Sequence, residues 1–566
     1  LIHLYNNFNL RNAPSVQRKP KLDPMALSRA ALLRMVPRQA VYEGILDTHQ
    51  ESLDGNLSYS SPQSQLFEAY RDAYFEGRGT WGSPRMDVDG YRHIRLGYQK
   101  EVYEYLRSVL DEIGDRLVSM ECGRLNEKSP VTDYVRQLRV IRGVRHVAQA
   151  LHVLREESLR RENYGDDKEA VFSNVIRHCY PMPDDDPQIL VRGGFDKERL
   201  VETAMLAPQW IDTVNTVLGW DGFREGCYYF IAHMKEDGGQ KKAEIAHYTE
   251  LDPEELNDGA FDMQWCRRVY ELLGEKRFGI LYKASRFLCA NAFHTRGRKY
   301  ADACLGKTGK ETWRAQAQEK RNKDALNAYC ICPIEDDEDL MERYLYVRRF
   351  LKESRQYGAQ RQAAEKRAAQ IAVLNLARNS RFQTVTRLTW MMESRAVSEK
   401  EEMLKPKRIE VQGSGDEVEA WIEISDQGES EIRLRKNGKI QKTVPAAVKK
   451  TGAFQELAEV HKRWKEQYRR SRAMLEQAMN ERTAFSLEEL EAILSNPIAA
   501  PMARKLVLIG TDGCGFFRDG CLSGPERTTR LREPVRIAHP YDLYERGCWV
   551  DFQKMIFDEK IVQPFK

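Results

Sequence analysis

The sequence predicts a mainly α protein: a helical array, solenoid-like or an irregular bundle, followed by a smaller α+β module with short β-meanders. Three observations carry this. Apolar residues recur at steps of three and four through most of residues 96–398, the spacing of one buried helix face. Between Arg408 and Val444 the period drops to two, as in half-buried strands. At 566 residues the chain exceeds what a single core organises, so several domains or an array are expected.

Residues 1–95 form an irregular N-terminal segment. Pro14, Pro20, Pro24 and Pro37 punctuate short helices such as Met25–Met35. Asp47–Gln65 and Gly77–Gly90 read as loops, with a helix over Pro62–Glu76. The helical region follows at 96–398. Tyr98–Met120 places Val102, Leu106, Val109, Ile113 and Leu117 on one face. A second helix is predicted from Ser129-Pro130 to Leu154, because proline suits the first turn, where its missing N–H is not needed. Leu200–Met234 reads as helical and rich in aromatic side chains, which is usually core. In Asp262–Ala303, Gly274 separates two helices as a C-cap signal. Asp339–Arg378 is helical, with alanines toward its end that favour helix and close packing. One more helix leads to a charged linker at 399–407.

The α+β module spans 408–566. Glu417–Ile424 and Glu431–Ile440 alternate apolar and polar residues, and Asn437-Gly438 within the second run is a strong hairpin signal, since both turn residues need positive φ. Phe454–Asn480 is an amphipathic helix with Phe454, Leu457, Trp464, Tyr468 and Leu475 on its seam. Ser486 and Glu489 form a capping box. Strands are predicted at Leu506–Ile509, Gly515–Phe517 and Val535–Pro540, and a last helix at Trp549–Phe557.

Composition limits function. Lys+Arg total 89 against 85 for Asp+Glu, a net charge of +4. That excludes a chain-wide electrostatic nucleic-acid binder and leaves local basic patches. No apolar run reaches membrane-spanning length. Eleven scattered cysteines read as reduced thiols of a cytoplasmic protein, not a disulfide framework. The chain begins at Leu1 and ends at Phe565-Lys566, and it reads as a segment open at both ends.

No complete catalytic motif is present. Asp184–Asp186 read as a solvated turn. Gly306-Lys307-Thr308 ends like a phosphate-binding loop, but Ala301 stands where that loop needs glycine and a helix precedes it. Cys330 and Cys332 lack a second ligand pair, so no metal site is predicted, and no cofactor. Two basic groups could contact phosphates: Lys465, Arg469, Arg470 and Arg472 on the amphipathic helix, and Arg296, Arg298 and Lys299 near 300. For both, a solvated helix face is the simpler reading. His294, Asp302 and His539, with Asp519, are the polar candidates for chemistry.

Several motifs resemble a known family. Arg536–Pro540, Gln563–Lys566, Lys439–Pro445 and Gln467–Arg470 resemble the bacterial MolR-type domain of unknown function, named after a molybdate metabolism regulator. Ala207–Ile211, Tyr229–Met234, Asp258–Asp262, His294–Arg296 and Ala301–Lys307 are similar to the helical region preceding that domain in Gram-positive members. The resemblance covers roughly residues 130–566, and the domain's distal half would follow Lys566. It implies a bacterial, regulatory protein from a family in which some members carry a WGR domain. It transfers no catalytic residues. Three expectations follow: a regulatory or scaffolding interaction protein with a protein partner; a nucleic-acid-associated protein using basic helix faces; and an enzyme whose site is completed beyond this segment.

Overall fold

The computed structural model describes residues 23–46, 48–49, 63–64, 66–74, 98–124, 128–161, 165–234, 242–289, 292–382, 384–398, 400–411 and 417–565. The loop predicted at Gly77–Gly90 and most of that at Asp47–Gln65 lie outside the described residues. The protein is mainly helical (62%), about twice the share of an average domain, with the four- and six-stranded antiparallel sheets in the C-terminal α+β module and a two-residue antiparallel pair, Thr48–His49 with Gln63–Ser64, near the N-terminus. It divides into two compact units, residues 1–309 and 310–566. Among the described residues no helix is long and apolar enough to cross a membrane.

The first unit is helical. Short helices at Pro24–Leu32, Arg38–Leu46 and Leu66–Tyr74 precede α1 (Lys100–Cys122), whose Val102, Leu106, Val109, Leu110 and Ile113 are buried as their spacing requires. The helix predicted over 130–154 is not continuous. A single turn at Thr132–Val135 gives way to β1 (Ile141–Arg142), and α2 runs over Val144–Leu154. The break is tertiary in origin: β1 pairs in parallel with β2 (Cys179–Tyr180), and Gly143 turns the chain at φ +100°, a region that favours glycine. Residues 200–234 likewise form separate helices, at Lys197–Leu206, Ile211–Leu218 and α3 (Phe223–His233), because Pro208, Gly219 and Gly222 interrupt the pattern. Next come α4 (Met263–Ala284), broken at Gly274 with φ +69° as predicted, and α5 (His294–Cys304).

The second unit starts with α6 (Lys310–Lys320), α7 (Lys323–Ile331), α8 (Asp337–Glu353), α9 (Ala359–Asn379) and α10 (Val385–Ser398). Asp336 caps α8 by accepting from the N–H groups of Glu338 and Asp339, and three acidic residues in the first turn suit the positive end of the helix. The predicted linker contains a 3-10 turn, Glu401–Leu404, and leads into β3 (Lys407–Arg408).

Then come β4 (Val418–Ile424), β5 (Ser430–Lys436) and β6 (Lys439–Gln441). They form the four-stranded antiparallel sheet β3-β4-β5-β6. Asn437 and Gly438 take φ +48° and +79° at the β5–β6 turn. The long helix α11 (Gly452–Asn480) buries Phe454, Leu457, Val460 and Trp464 in one core with Val418, Ala420, Ile422 and Leu434 of this sheet.

β7 (Ala484–Phe485), α12 (Leu487–Ser495), α13 (Ala500–Ala503), β8 (Val507–Ile509), β9 (Cys514–Arg518), β10 (Cys521–Ser523), β11 (Thr528–Arg530), β12 (Val535–Ile537), α14 (Pro540–Glu545) and α15 (Trp549–Asp558) complete the unit. The second sheet has the antiparallel order β11-β10-β9-β8-β12-β7. The predicted capping box at Ser486 and Glu489 is present. Trp390 of α10 shares a core with Leu475, Leu490, Leu508 and Ile537. That shared core is why α10, placed in the helical region by its sequence period, packs as one body with the strands.

Candidate functional site

The helices α8, α9 and α11 each present a basic face, and the three faces converge. Arg348 and Lys352 lie one turn apart on α8, Arg355 follows in a 3-10 turn, Lys366 stands on α9, and Arg469 and Arg470 stand on α11. Together these six cations line a groove of about 610 Å³, with Glu466 the single carboxylate on its wall. Residues three or four apart share a helix face, so the chain supplies each wall from one stripe: 348, 352 and 355; 359, 362, 363 and 366; 466, 469 and 470. Ala359 and Ala363 also line the groove, and their small side chains leave room between the cations. Further along α9, Ala368, Ala369, Ala372 and Ala377 are buried, in keeping with the close packing that the alanine pattern predicts.

The charges in the groove are poorly compensated. Arg348, Lys366 and Arg469 make no ion pair among the described residues. Lys352 approaches Glu459 at 3.9 Å, and Arg355 approaches Glu466 at 3.9 Å. Exposed pairs of that length contribute little. Arg470 is different. Its Nε donates to Glu393 at 2.8 Å, a carboxylate that is only 5% exposed and that also accepts from the Tyr344 hydroxyl. Beside it, the Gln467 amide donates to the Glu393 carbonyl at 3.2 Å. Arg470 therefore fastens α11 to α10 while its flank lines the groove. Lys465 and Arg472 are exposed on α11 outside the groove, in a stripe with Arg469 at steps of four and three.

The basic cluster of the first unit has another role. Arg296 is 2% exposed. Its guanidinium donates to the carbonyls of His233, Met234, Leu256 and Asn257. It thus satisfies carbonyls at the C-terminal ends of α3 and the helix Pro253–Asp258, groups that a helix end leaves without intrahelical partners. Arg298 is half-buried. It donates to Ser285 and the Lys283 carbonyl and lies over the Tyr282 ring. Burial lowers its pKa from the ordinary arginine value. Lys299 is half-buried on the same helix.

The polar candidates are not gathered into one constellation. His294 faces the Cys289 thiol at 3.9 Å, whereas Asp302 accepts from the Tyr282 hydroxyl at 2.7 Å. They stand eight residues apart on α5, about 12 Å along the axis. His539 caps α14: its Nδ1 accepts from the Tyr541 N–H, and Asp542 closes the capping box. Asp519 sits in the β9–β10 turn at φ +47°. Asp185 accepts from the N–H groups of Val144 and Met182, a turn-stabilising use of the acidic run. Cys330 and Cys332 are buried thiols. Among the described residues no group of three or more His, Cys, Asp or Glu could hold a metal ion.

The period-based reading found Arg469 and Arg470 and missed Arg348, Lys352, Arg355 and Lys366. Their signal was present as basic residues at helical spacing, but one basic stripe looks like any solvated face until a second one is packed against it.

The model of a family of unknown function (DUF5724) matches residues 1–392. The model of a domain of unknown function (DUF4132) matches residues 438–566. No curated protein and no solved structure matches the chain.

Proposed function

The chain belongs to the family of unknown function DUF5724, and from that footing we propose that it is a regulatory interaction protein that associates with nucleic acid through the phosphate backbone, using the cationic groove of its second unit. The observation that carries this reading is the meeting of six cations from three helices around one carboxylate. Bringing like charges together costs free energy unless an anion offsets it, and a phosphate backbone supplies evenly spaced anions. The uncompensated Arg348, Lys366 and Arg469 are the contacts expected to release counterions. The exposed stripe of Lys465 and Arg472 extends the track beyond the groove. The regulatory part takes up the resemblance of the C-terminal motifs to the MolR-type domain. A cytoplasmic location accords with eleven cysteines that are all free.

The test is binding to labelled single- and double-stranded DNA and RNA across a salt series. Lys366→Glu with Arg469→Glu is the informative variant, because both side chains are exposed and support nothing else in the fold. Losing two phosphate contacts should flatten the log–log salt slope by about 1.8 for duplex DNA. Arg470→Glu is a poor choice, since it sets a second carboxylate against buried Glu393. Absence of binding at low salt, or an unchanged slope in the double variant, would overturn the proposal.

A further inference from the structure

The outer layer of the second sheet is lightly attached. Side chains alternate between the two faces of a strand. Along β8, Leu508 turns to the core shared with α11, whereas Val507 and Ile509 turn to a smaller core on the other face. There they meet Phe516 of β9, Leu543 of α14 and Phe552 of α15. Phe552 is the single buried residue among the ten described residues of α15. Tyr544, Trp549, Val550 and Phe557 are exposed, so α14 and α15 bury little apolar surface against the sheet.

Three contacts tie α15 to β9, in step along both elements. At one end the thiols of Cys514, the first residue of β9, and Cys548, the residue before α15, meet at 3.9 Å. In the middle the Phe516 and Phe552 rings meet edge to face with centroids 6.0 Å apart. At the far end Arg518 pairs with Glu559, an exposed ion pair of the kind that contributes little. The thiol pair is the contact that a covalent reaction can convert into a strong tie.

The surroundings of the pair suit such a reaction. Cys514 and Cys548 are half-buried, whereas most of the other thiols are buried, so a small reagent can reach them. A disulfide holds its sulfurs about 2 Å apart, so closure needs a shift of about 2 Å. That shift is shared by two side chains that rotate and by the turn before Cys548, where Gly547 stands at φ +71° with open space around it. Among the described residues no third His, Cys, Asp or Glu joins the two thiols in a group that could hold a metal ion.

We propose that Cys514 and Cys548 form a reversible thiol–disulfide switch, closed by a low-molecular-weight disulfide, that fastens α15 to the start of β9. Burial and then the Cys548 thiol push the Cys514 pKa up to about 11, so Cys548 is the first nucleophile. Its thiolate attacks the small disulfide, forms a mixed disulfide and releases one small thiol. Cys514 gives its proton to solvent, attacks the Cys548 sulfur and displaces the second small thiolate, which takes up a proton. Two protein thiols are oxidised to one disulfide, and the small disulfide is reduced to two thiols. In the reduced state the thin core lets α14 and α15 open locally. In the oxidised state α15 cannot leave the sheet without pulling on β9. None of the residues lining the cationic groove belongs to α14, α15 or β9, so the switch does not depend on the nucleic-acid reading.

The test treats the full chain with oxidised glutathione and reads it by peptide mapping without reduction and by amide exchange. The map should show a cross-link between the peptides carrying Cys514 and Cys548 within one chain. Exchange over residues 540–558 should slow about tenfold or more, and dithiothreitol should reverse both changes. Cys514→Ser and Cys548→Ser should each lose the cross-link and the slowing, whereas Cys521→Ser should keep them. Melting temperatures of the reduced variants equal to that of the reduced wild type show that the fold is intact. Mixed disulfides without the cross-link, a cross-link between chains or through other cysteines, or unchanged exchange in the cross-linked protein would each overturn the proposal. So would equal slowing in Cys514→Ser.

Discussion

Arg343 shows what a fully buried cation does in this protein. It has no exposed surface and donates to both oxygens of Asp339 at 2.9 and 2.6 Å. It also donates to the carbonyls of Tyr329, Cys332 and Pro333. Burial alone would raise the Asp339 carboxyl, but the Arg343 hydrogen bonds overcome this and hold it below the usual carboxylate value. Arg343→Met leaves that carboxylate with Lys310 and the Glu335 N–H alone and takes a donor from three carbonyls, so the loss should be about 3 kcal/mol, read as a shift in the urea midpoint. His233 carries the opposite pH lesson. It is buried among Tyr229, Phe261 and Trp265, and its Nδ1–H donates to the Tyr229 carbonyl at 2.8 Å. Burial pushes its pKa down from 6.5 to about 4. Between these values the unfolded chain holds a proton that the folded chain lacks, so stability is fully present above pH 6.5 and lost as pH falls toward 4. His233→Asn keeps a donor near the Tyr229 carbonyl and removes the titration. It should flatten the melting temperature in that window, where the wild type loses up to about 3 kcal/mol.

At the scale of elements, local chemistry was readable where a side chain or a turn decides the outcome by itself. Ser486, Asn437-Gly438 and Gly274 announced a cap, a hairpin and a helix break, and each is present. The helix predicted over 130–154 failed because β1 finds its partner β2 almost forty residues later, and no local period reports such pairing. Gly428 was also silent in the sequence. It takes φ +85° in the β4–β5 turn, and an added Cβ would collide with the Ile498 carbonyl. Gly428→Ala should therefore cost about 1–3 kcal/mol. Gly438→Ala, at φ +79° but in open space, should cost less. Paired chemical denaturation curves for the two variants give the comparison directly.

For the whole molecule, the drop to a period of two after residue 408 marks where strands longer than two residues begin. Compactness divides the chain elsewhere, at residues 309 and 310, because α10 shares its core with α11, α12 and the second sheet. Sequence period sees the kind of element and not its neighbours, which is also why only one wall of the groove was legible. The two units should respond to acid in different windows. His233 belongs to the first. In the second, Asp339 and Asp542 are held below the ordinary 3.8: burial opposes this, and the hydrogen bonds from Arg343 and Arg536 prevail. Those carboxylates stabilise the fold above their unfolded value and lose that effect only as pH falls below it. Hydrogen exchange at pH 5 should therefore accelerate around residues 229–265 while residues 390–478 keep their protection.

The groove's construction has a further consequence. One side comes from residues 348–366 and the other from 466–470, so a bound polyanion is a cross-link between stretches more than a hundred residues apart. Anything that occupies it must raise the unfolding free energy of the second unit by mass action, about 2.7 kcal/mol at a hundred times its dissociation constant. Thermal denaturation thus becomes a ligand assay in which neither the reaction nor the partner has to be identified first. The rise should vanish in Lys366→Glu with Arg469→Glu and fade with added salt.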